Sequence, residues 1–173
     1  MKNMRIMKYL FIICILFWNL TEIAVAAPDK ALVMELLEGR HWKLDVESFQ
    51  LLGDDTDKVL IEIGGDTSSI NYLRFRALDA LSLFPTESTA SFLELYAEKS
   101  FAPLARRGFE ALKNGFYKTQ PQRVKRLAAR LLKHPNAQVR ISAARFMRSA
   151  DATRFKHFLK SESDSWVRKE AQK

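Results

Sequence analysis

The sequence contains three histidines, the residue type best suited to proton transfer and metal binding. His41 and His134 are expected in loops, and His157 is expected on the surface of a helix. Because the three belong to different predicted elements, we do not expect them to meet around a metal ion, which needs several ligands at one point. The sequence therefore predicts no metal site built on histidine.

A cluster of aspartates, Asp54, Asp55 and Asp57, has a spacing that suggests a calcium loop. It lacks the alternating ligands, the glycine and the distal glutamate of such a loop. Carboxylates also lie favourably at the amino-terminal end of a helix, where backbone N–H groups are unpaired. We therefore interpret the cluster as a cap for the helix that follows it.

Motifs typical of enzymes are missing from the sequence. It has no Gly-x-Ser-x-Gly elbow, no phosphate-binding loop and no His-Glu-x-x-His zinc motif. Its only cysteine, Cys14, lies in an apolar segment that is expected to be removed. These observations predict a protein that is not an enzyme and that uses no cofactor.

Residues 1–26 have the three parts of a secretory signal peptide. Lys2, Arg5 and Lys8 form the basic start, and the stretch from Tyr9 to Leu20 forms the apolar core. Ala24-Val25-Ala26 supplies the small residues before the cleavage site. Polar residues interrupt the apolar stretch before it reaches the roughly 20 residues that cross a bilayer. We expect cleavage after Ala26 and a periplasmic or secreted protein; the alternative is an uncleaved membrane anchor.

Charge is distributed unevenly along the chain, which has 173 residues and a formal net charge of +8. Residues 27–99 include 7 basic and 14 acidic residues, and residues 100–173 include 18 basic and 5 acidic ones. The length and a hydrophobic content of 47% indicate one domain with a buried core. The charge separation predicts an acidic partner for the carboxyl-terminal half, or self-association of the two halves between copies.

A pattern of apolar residues recurs four times from residue 73 onward, beginning at Leu73, Leu104, Val139 and Val167. The first three copies place residues of the stripe at positions i, i+4, i+5 and i+8 along a helix, the copy at Val167 shows positions i and i+4, and the residue at i+4 is small in all four. A small residue in such a stripe lets a second helix approach closely. Each copy therefore predicts a helix that another helix covers.

Capping residues between these copies predict a second set of helices. Thr86, Asp151 and Asp164 are each suited to cap the helix that follows. Pro121 suits the first turn of another helix, and Asn114-Gly115 is expected to end one. The sequence therefore predicts an all-α fold.

Residues 27–65 are less regular. Two short amphipathic stretches, Lys30 to Leu37 and Val46 to Leu52, precede a run from Asp57 to Ile63 that stops at Gly64-Gly65. We interpret residues 27–65 as a helical cap or degenerate repeat, because a stack of helices must cover its end. The run from Asp57 to Ile63 is alternatively a strand.

Two of the copies resemble the first-helix signature of HEAT repeats, in the short bacterial form that also occurs in phycobilisome-lyase-like repeats. They are Val139-Arg140-Ile-Ser-Ala143-Ala144 and Asp164-Ser-Trp-Val167-Arg168-Lys-Glu-Ala171. The resemblance covers residues 66–173 and is weakest around residue 104, where alanine replaces the arginine. It implies an α-solenoid of about four HEAT-like helix pairs, each packed on its neighbours.

The resemblance also implies roles for the repeated residues. In HEAT-like repeats, arginines at the positions of Arg74, Arg140 and Arg168 make hydrogen bonds and ion pairs between neighbouring repeats. Ligand binding by these arginines is the alternative. Ala143 and Ala144 are expected to face neighbouring helices.

The helix expected to begin at Pro121 has a row of basic residues on one face, and we call this row the basic ridge. It consists of Arg123, Arg126, Arg130 and Lys133. Apolar residues occupy the opposite face. The basic ridge is a candidate binding site; the alternative is a solvated outer face whose like charges are compensated elsewhere.

These features favour a non-enzymatic binding or scaffold protein of the cell envelope, with an acidic protein, an anionic lipid or a glycan as partner. The alternative is a nucleic-acid-binding or DNA-glycosylase-type protein, since some HEAT-like folds have that activity and the carboxyl-terminal half is basic. Export argues against this alternative, because an exported protein does not meet genomic DNA. A lyase that acts on a bilin-like cofactor is a third hypothesis, based on family analogy alone.

Overall fold

The computed structural model describes residues 27–99 and 101–173, so the expected signal peptide lies outside the described residues. The described part of the chain contains ten helices and no strand. The all-α prediction is thereby confirmed for these residues. The alternative of a strand from Asp57 to Ile63 is wrong, because these residues lie within a helix, Thr56–Gly65.

In chain order the helices are α1 (Lys30–Leu37), α2 (Val46–Leu51), α3 (Thr56–Gly65), α4 (Asn71–Leu81), α5 (Glu87–Lys99), α6 (Ala102–Phe116), α7 (Pro121–Leu131), α8 (Ala137–Ala150), α9 (Ala152–Ser161) and α10 (Ser165–Ala171). The four repeated segments form α4, α6, α8 and α10. Within the described ranges, no helix combines the length and the apolarity that a bilayer span requires.

The predicted capping residues begin the helices that follow them. The Thr86 hydroxyl accepts a hydrogen bond of 3.2 Å from the backbone N–H of Thr89. The Asp151 carboxylate accepts one of 3.0 Å from the N–H of Arg154, and Asp164 caps α10 in the same way. These predictions are confirmed, as is the position of Pro121 in the first turn of α7.

The helix end predicted at Asn114-Gly115 lies one residue further along the chain, and Gly115 has a different role from a helix stop. Helix α6 continues through Asn114 and Gly115 to Phe116. A Cβ atom on Gly115 would lie 2.5 Å from the carbonyl oxygen of Ser82, at the end of α4. Glycine is needed here because two backbones pass close together, which a sequence pattern cannot distinguish from a helix stop.

The aspartate cluster also differs from its interpretation as a cap. Asp55 stands at the cap position of α3, but its side chain makes no capping hydrogen bond. Asp57 is buried in the first turn of α3. Its Oδ2 accepts hydrogen bonds from the hydroxyls of Thr86 at 2.6 Å and Ser88 at 3.1 Å. Asp57 therefore joins α3 to the start of α5.

The amino-terminal helices share the core of the repeated region. Helix α1 packs on α3 and α4. Arg76 in α4 donates hydrogen bonds to the carbonyls of Leu37, at 2.6 Å, and Gly39, at 2.9 Å, just where α1 ends. The Arg76 guanidinium lies over the rings of both Trp42 and Tyr72. These contacts attach residues 27–65 to the first repeated helix.

The helices pack in an alternating order. Helices α4, α6, α8 and α10 lie side by side, each against the next, and α3, α5 and α7 form a second row of neighbours. Helix α5 packs chiefly on α6, and α7 packs more on α8 than on α6. A repeated helix is therefore covered mainly by the helix that precedes it, although α9 packs back on α8.

The small residues of the repeated pattern lie at these helix contacts. Ala77, Ala143 and Ala171 are fully buried. A Cβ atom on Gly108 would lie 3.0 Å from the carbonyl oxygen of Leu93 in α5. The predicted close approach of a second helix is thus confirmed at Gly108, where a Cβ atom would make an unusually tight contact with the backbone of α5.

Candidate binding surface

The basic ridge of α7 is divided between two neighbouring helices. Arg123 turns towards α5, where its Nε donates to Glu94 Oε1 at 2.7 Å and its Nη atoms donate to both carboxylate oxygens of Glu87, at 2.6 and 2.9 Å. The Arg123 side chain is only 16% exposed. This arginine is therefore committed to an internal contact.

Arg130 takes part in the same contact. It forms ion pairs with Glu98 and with Glu94, the latter over 3.7 Å. Arg123 and Arg130 are seven residues apart, which places them two helical turns apart on the same side of α7. We call the contact of these two arginines with the glutamates of α5 the α5–α7 seam. It supplies much of the charge compensation that the basic ridge needs.

The pKa values of Glu87 and Arg123 are shifted in the directions that favour their charged forms. The hydrogen bond from Arg123 is the main cause that lowers the pKa of Glu87 below its ordinary value. Conversely, the hydrogen bond to Glu87 is the main cause that raises the pKa of Arg123. Both partners therefore stay ionised over a wider range of pH than isolated side chains.

Arg126 and Lys133 remain on the outer surface. Both are exposed, and neither forms an ion pair within residues 27–99 and 101–173. Lys133 lies just beyond the end of α7, on the side of α9, whereas Arg126 lies near Arg123, Arg130 and Glu94 of α5. Of the four residues of the basic ridge, these two are available to a partner.

A groove lies between α7 and α9, and we call it the α7–α9 groove. It has a volume of about 350 Å³ and is lined by Ala129, Leu132, Lys133, Arg154, His157, Phe158 and Ser161. Leu132 and Phe158 are buried and form its apolar floor, whereas Lys133, Arg154 and His157 are exposed around it. The groove therefore combines an apolar base with a basic rim.

The rim of the groove has little acidic compensation. Arg154 is the one rim residue with an ion pair among the described residues, and its partner Asp151 is 3.7 Å away on the same helix. Because the Arg154 side chain is half exposed, this pair is weakly held. The rim thus keeps most of its positive charge.

The acidic residues of the carboxyl-terminal half are all engaged in local structure. Asp151 and Asp164 cap α9 and α10, and the three glutamates form ion pairs with Lys113, Arg140, Arg145 and Lys173. Since this half contains 18 basic residues and 5 acidic ones, its uncompensated charge is carried by exposed lysines and arginines. Part of that charge lies around the α7–α9 groove.

The repeated arginines bond to backbone and acidic groups of the fold. Arg74 is buried and donates to the carbonyl of Gly64 over 3.1 Å. Arg140 forms an ion pair with Glu162, and Arg168 donates to the carbonyl of the same glutamate. Ala143 and Ala144 are fully buried.

The histidines lie apart from one another. His41 and His157 are exposed, and the Nδ1 of His134 accepts a hydrogen bond of 3.0 Å from the N–H of Asn136. Within the part of the chain that the structure describes, no group of three or more metal-binding side chains comes together. His157 is connected with the other candidate residues only through its position in the α7–α9 groove.

Two features of this region were not predicted from the sequence. His157 was expected on a helix surface but without a connection to Lys133, and Arg154 was not among the candidate residues. Arg154 and His157 are three residues apart, on the same side of α9 as Phe158, and this spacing was a usable signal. The pairing of α7 with α9 across a groove was not readable from either helix alone.

Comparison of the chain with protein-family models, with curated proteins and with solved structures finds no match in any of the three. The packing of the helices and the basic surface are therefore the basis of the functional proposal.

Proposed function

We propose that the chain is an exported, non-enzymatic binding module with a HEAT-like α-solenoid fold, and that it binds an acidic protein through the exposed basic side chains of α7 and α9. The signal-peptide pattern of residues 1–26 supports export. The exposed basic side chains support an acidic protein as the partner.

The solenoid part of the proposal is supported by the agreement between sequence repeat and packing. The four copies of the pattern become four helices that each contact the next, and small residues lie where neighbouring helices approach. Stacked helix pairs of this kind present an extended surface on which partners bind. The fold class alone does not name the partner.

One observation carries the choice of an acidic partner: the α5–α7 seam compensates Arg123 and Arg130 but leaves Arg126, Lys133 and the rim of the α7–α9 groove charged. Clustered uncompensated cations raise the rate at which a negatively charged partner associates. They also cost free energy through mutual repulsion, which a bound acidic surface relieves.

The same seam weighs against head-to-tail self-association through α5. Glu87, Glu94 and Glu98 would be the acidic row offered to a second copy, but all three are already paired within the chain. A second copy would have to displace these internal contacts. A different, acidic protein has no such competition.

The test uses the mature protein with Arg126→Glu and Lys133→Glu together. These residues are preferable to Arg130, because reversing Arg130 would also break the α5–α7 seam. The matched control reverses Lys43 and Lys169, two exposed lysines outside this surface, and changes the net charge equally. Partners are crosslinked and captured from cell envelopes, purified, and titrated against each variant over a range of salt concentrations.

We expect a captured acidic protein to bind the wild type and the control alike, with an affinity that falls as salt rises. The double reversal should weaken that binding at least about tenfold, mainly through the association rate. Equal binding by all three proteins would refute the proposal. Preferential binding of anionic vesicles, glycan or duplex DNA in parallel titrations would refute the acidic protein as the partner.

A further inference from the structure

We infer that the α7–α9 groove binds a short, extended segment of a partner protein in which an acidic residue stands next to an apolar one. This inference rests on the proposed function and defines the chemistry of its ligand. The partner's apolar side chain enters the groove, and the neighbouring carboxylate meets the basic rim.

The lining of the groove supports both halves of this ligand. Leu132 and Phe158 present apolar surface at the base, and Ala129 is too small to fill the space above it. An apolar side chain that enters this space is removed from water, which is the main favourable term in most association. A larger side chain at position 129 would therefore occupy part of this space.

The rim supplies three groups that can donate hydrogen bonds to a carboxylate: the Lys133 ammonium, the Arg154 guanidinium and the His157 ring. Arginine binds carboxylates with two parallel hydrogen bonds when its geometry allows. The loose contact of Arg154 with Asp151, over 3.7 Å, is readily exchanged for such a partner. An acidic side chain beside the inserted apolar one completes the charge complementarity.

The size of the groove indicates a short segment. Its volume of about 350 Å³ is near the lower end of the roughly 300–1,000 Å³ range of ligand pockets. This space admits a few side chains but not the face of a folded domain. Short linear segments bind such grooves through a small number of anchor residues.

The apolar floor favours a peptide over other polyanions. A nucleic acid or an anionic membrane surface binds a protein mainly through the protein's cationic side chains, and apolar surface between those side chains adds little. Exposed lysines elsewhere on α9, such as Lys156 and Lys160, would serve those ligands equally well. Only a ligand with an apolar group beside its charge uses the residues that distinguish the α7–α9 groove from the rest of the basic surface.

The experiment selects peptides from a random displayed library against the mature wild-type protein. The strongest selected peptide is then synthesised, together with one version whose apolar residues are replaced by serine and one whose acidic residues are replaced by their amides. Binding is measured for the wild type and three variants: Ala129→Phe, which fills the groove, Arg154→Glu, which reverses the rim, and Lys156→Glu, which reverses a charge on α9 outside the groove. Circular dichroism melting checks that each variant is folded.

We expect the selected peptides to share an acidic residue beside a leucine, isoleucine, phenylalanine or tryptophan. Ala129→Phe and Arg154→Glu should each weaken binding about tenfold or more, whereas Lys156→Glu should change it by less than about threefold. If Ala129→Phe does not fold, Arg154→Glu and the serine version of the peptide carry the same test.

The inference and the proposed function fail in different ways. If acidic peptides bind without any apolar requirement, and Ala129→Phe binds as well as the wild type, the groove is not the site although the basic surface still binds acidic protein. If no acidic peptide is selected and the captured partner ignores the reversal of Arg126 and Lys133, both are refuted. Selection of peptides without an acidic residue would also overturn the inference.

Discussion

Arg140 in α8 and Glu162, just after α9, form an ion pair with two contacts, 2.7 Å between Nε and Oε2 and 3.2 Å between Nη2 and Oε1. The Glu162 side chain is only 6% exposed. Its backbone carbonyl accepts a hydrogen bond from Arg168, and its carboxylate also accepts one from the N–H of Asp164. One glutamate thus fixes the link between α9 and α10 against α8.

This arrangement predicts how stability depends on pH. Burial raises the pKa of Glu162, but the hydrogen bonds from Arg140 and Asp164 lower it by more than burial raises it. The pKa of Glu162 therefore lies below its ordinary value of 4.5. A carboxyl group with a lowered pKa in the folded state stabilises the fold above its unfolded-state pKa. That contribution is lost as the pH falls through the folded-state value.

We predict that Glu162→Gln lowers the free energy of unfolding at neutral pH by about 1–3 kcal/mol, because a buried charged hydrogen bond is lost. The variant should also lose less stability than the wild type between neutral pH and about pH 3. Urea denaturation at several pH values measures both effects. The control is Glu35→Gln, an exposed glutamate of α1; parallel curves for Glu162→Gln and the wild type would contradict the prediction.

The contact of α6 with the end of α4 predicts the effect of a single methyl group. Gly115→Ala would place a Cβ atom 2.5 Å from the Ser82 carbonyl oxygen. The resulting displacement of the backbone should cost about 1–3 kcal/mol, which exceeds the roughly 0.5–1 kcal/mol that alanine gains over glycine in a helix. Thermal unfolding should therefore shift downward. In Gly65→Ala, the nearest atoms lie at 3.8 Å, so stability should hold or rise.

The centre of α8 predicts a larger effect. Ala143 is fully buried in the row of repeated helices. We expect Ala143→Glu to lower the free energy of unfolding by several kcal/mol, since it buries a charge without a partner and overpacks a close contact. Ser149→Glu, on the exposed side of the same helix, is the control and should stay within about 0.5 kcal/mol of the wild type. A normal melting curve for Ala143→Glu would show that α8 is placed wrongly.

Export predicts the mass of the mature protein. We expect cleavage after Ala26, so that Ala27 is the first residue, because Ala24 and Ala26 are the small residues that precede the cleavage site. Intact-mass spectrometry of the periplasmic or secreted form measures this directly. Ala26→Arg should block processing, whereas Ala27→Ser should be cleaved at the same bond, so that its mature form begins at residue 27. Recovery of the uncleaved chain from the inner membrane would contradict the prediction.

Much of the helical organisation could be predicted because its signals are local. The apolar stripes of the repeated segments, and caps such as Thr86 and Asp151, depend on residues within a turn or two of one another. The same local reasoning failed at Gly115, where the reason for glycine is the backbone of a helix about thirty residues earlier in the sequence. It also failed for Asp57, whose hydroxyl partners Thr86 and Ser88 lie at the start of α5.

The candidate site shows the same division. The sequence by itself determined that Arg123, Arg126 and Arg130 share one face of a helix, because the spacing of residues on a helix is fixed. Lys133 was predicted on the same face, but it lies beyond Leu131, where α7 ends. Only the tertiary structure decided that Arg123 and Arg130 are neutralised by α5 and that Lys133 faces a groove with Arg154. Charge compensation depends on distance in space, and the glutamates that supply it lie about thirty residues away in the chain.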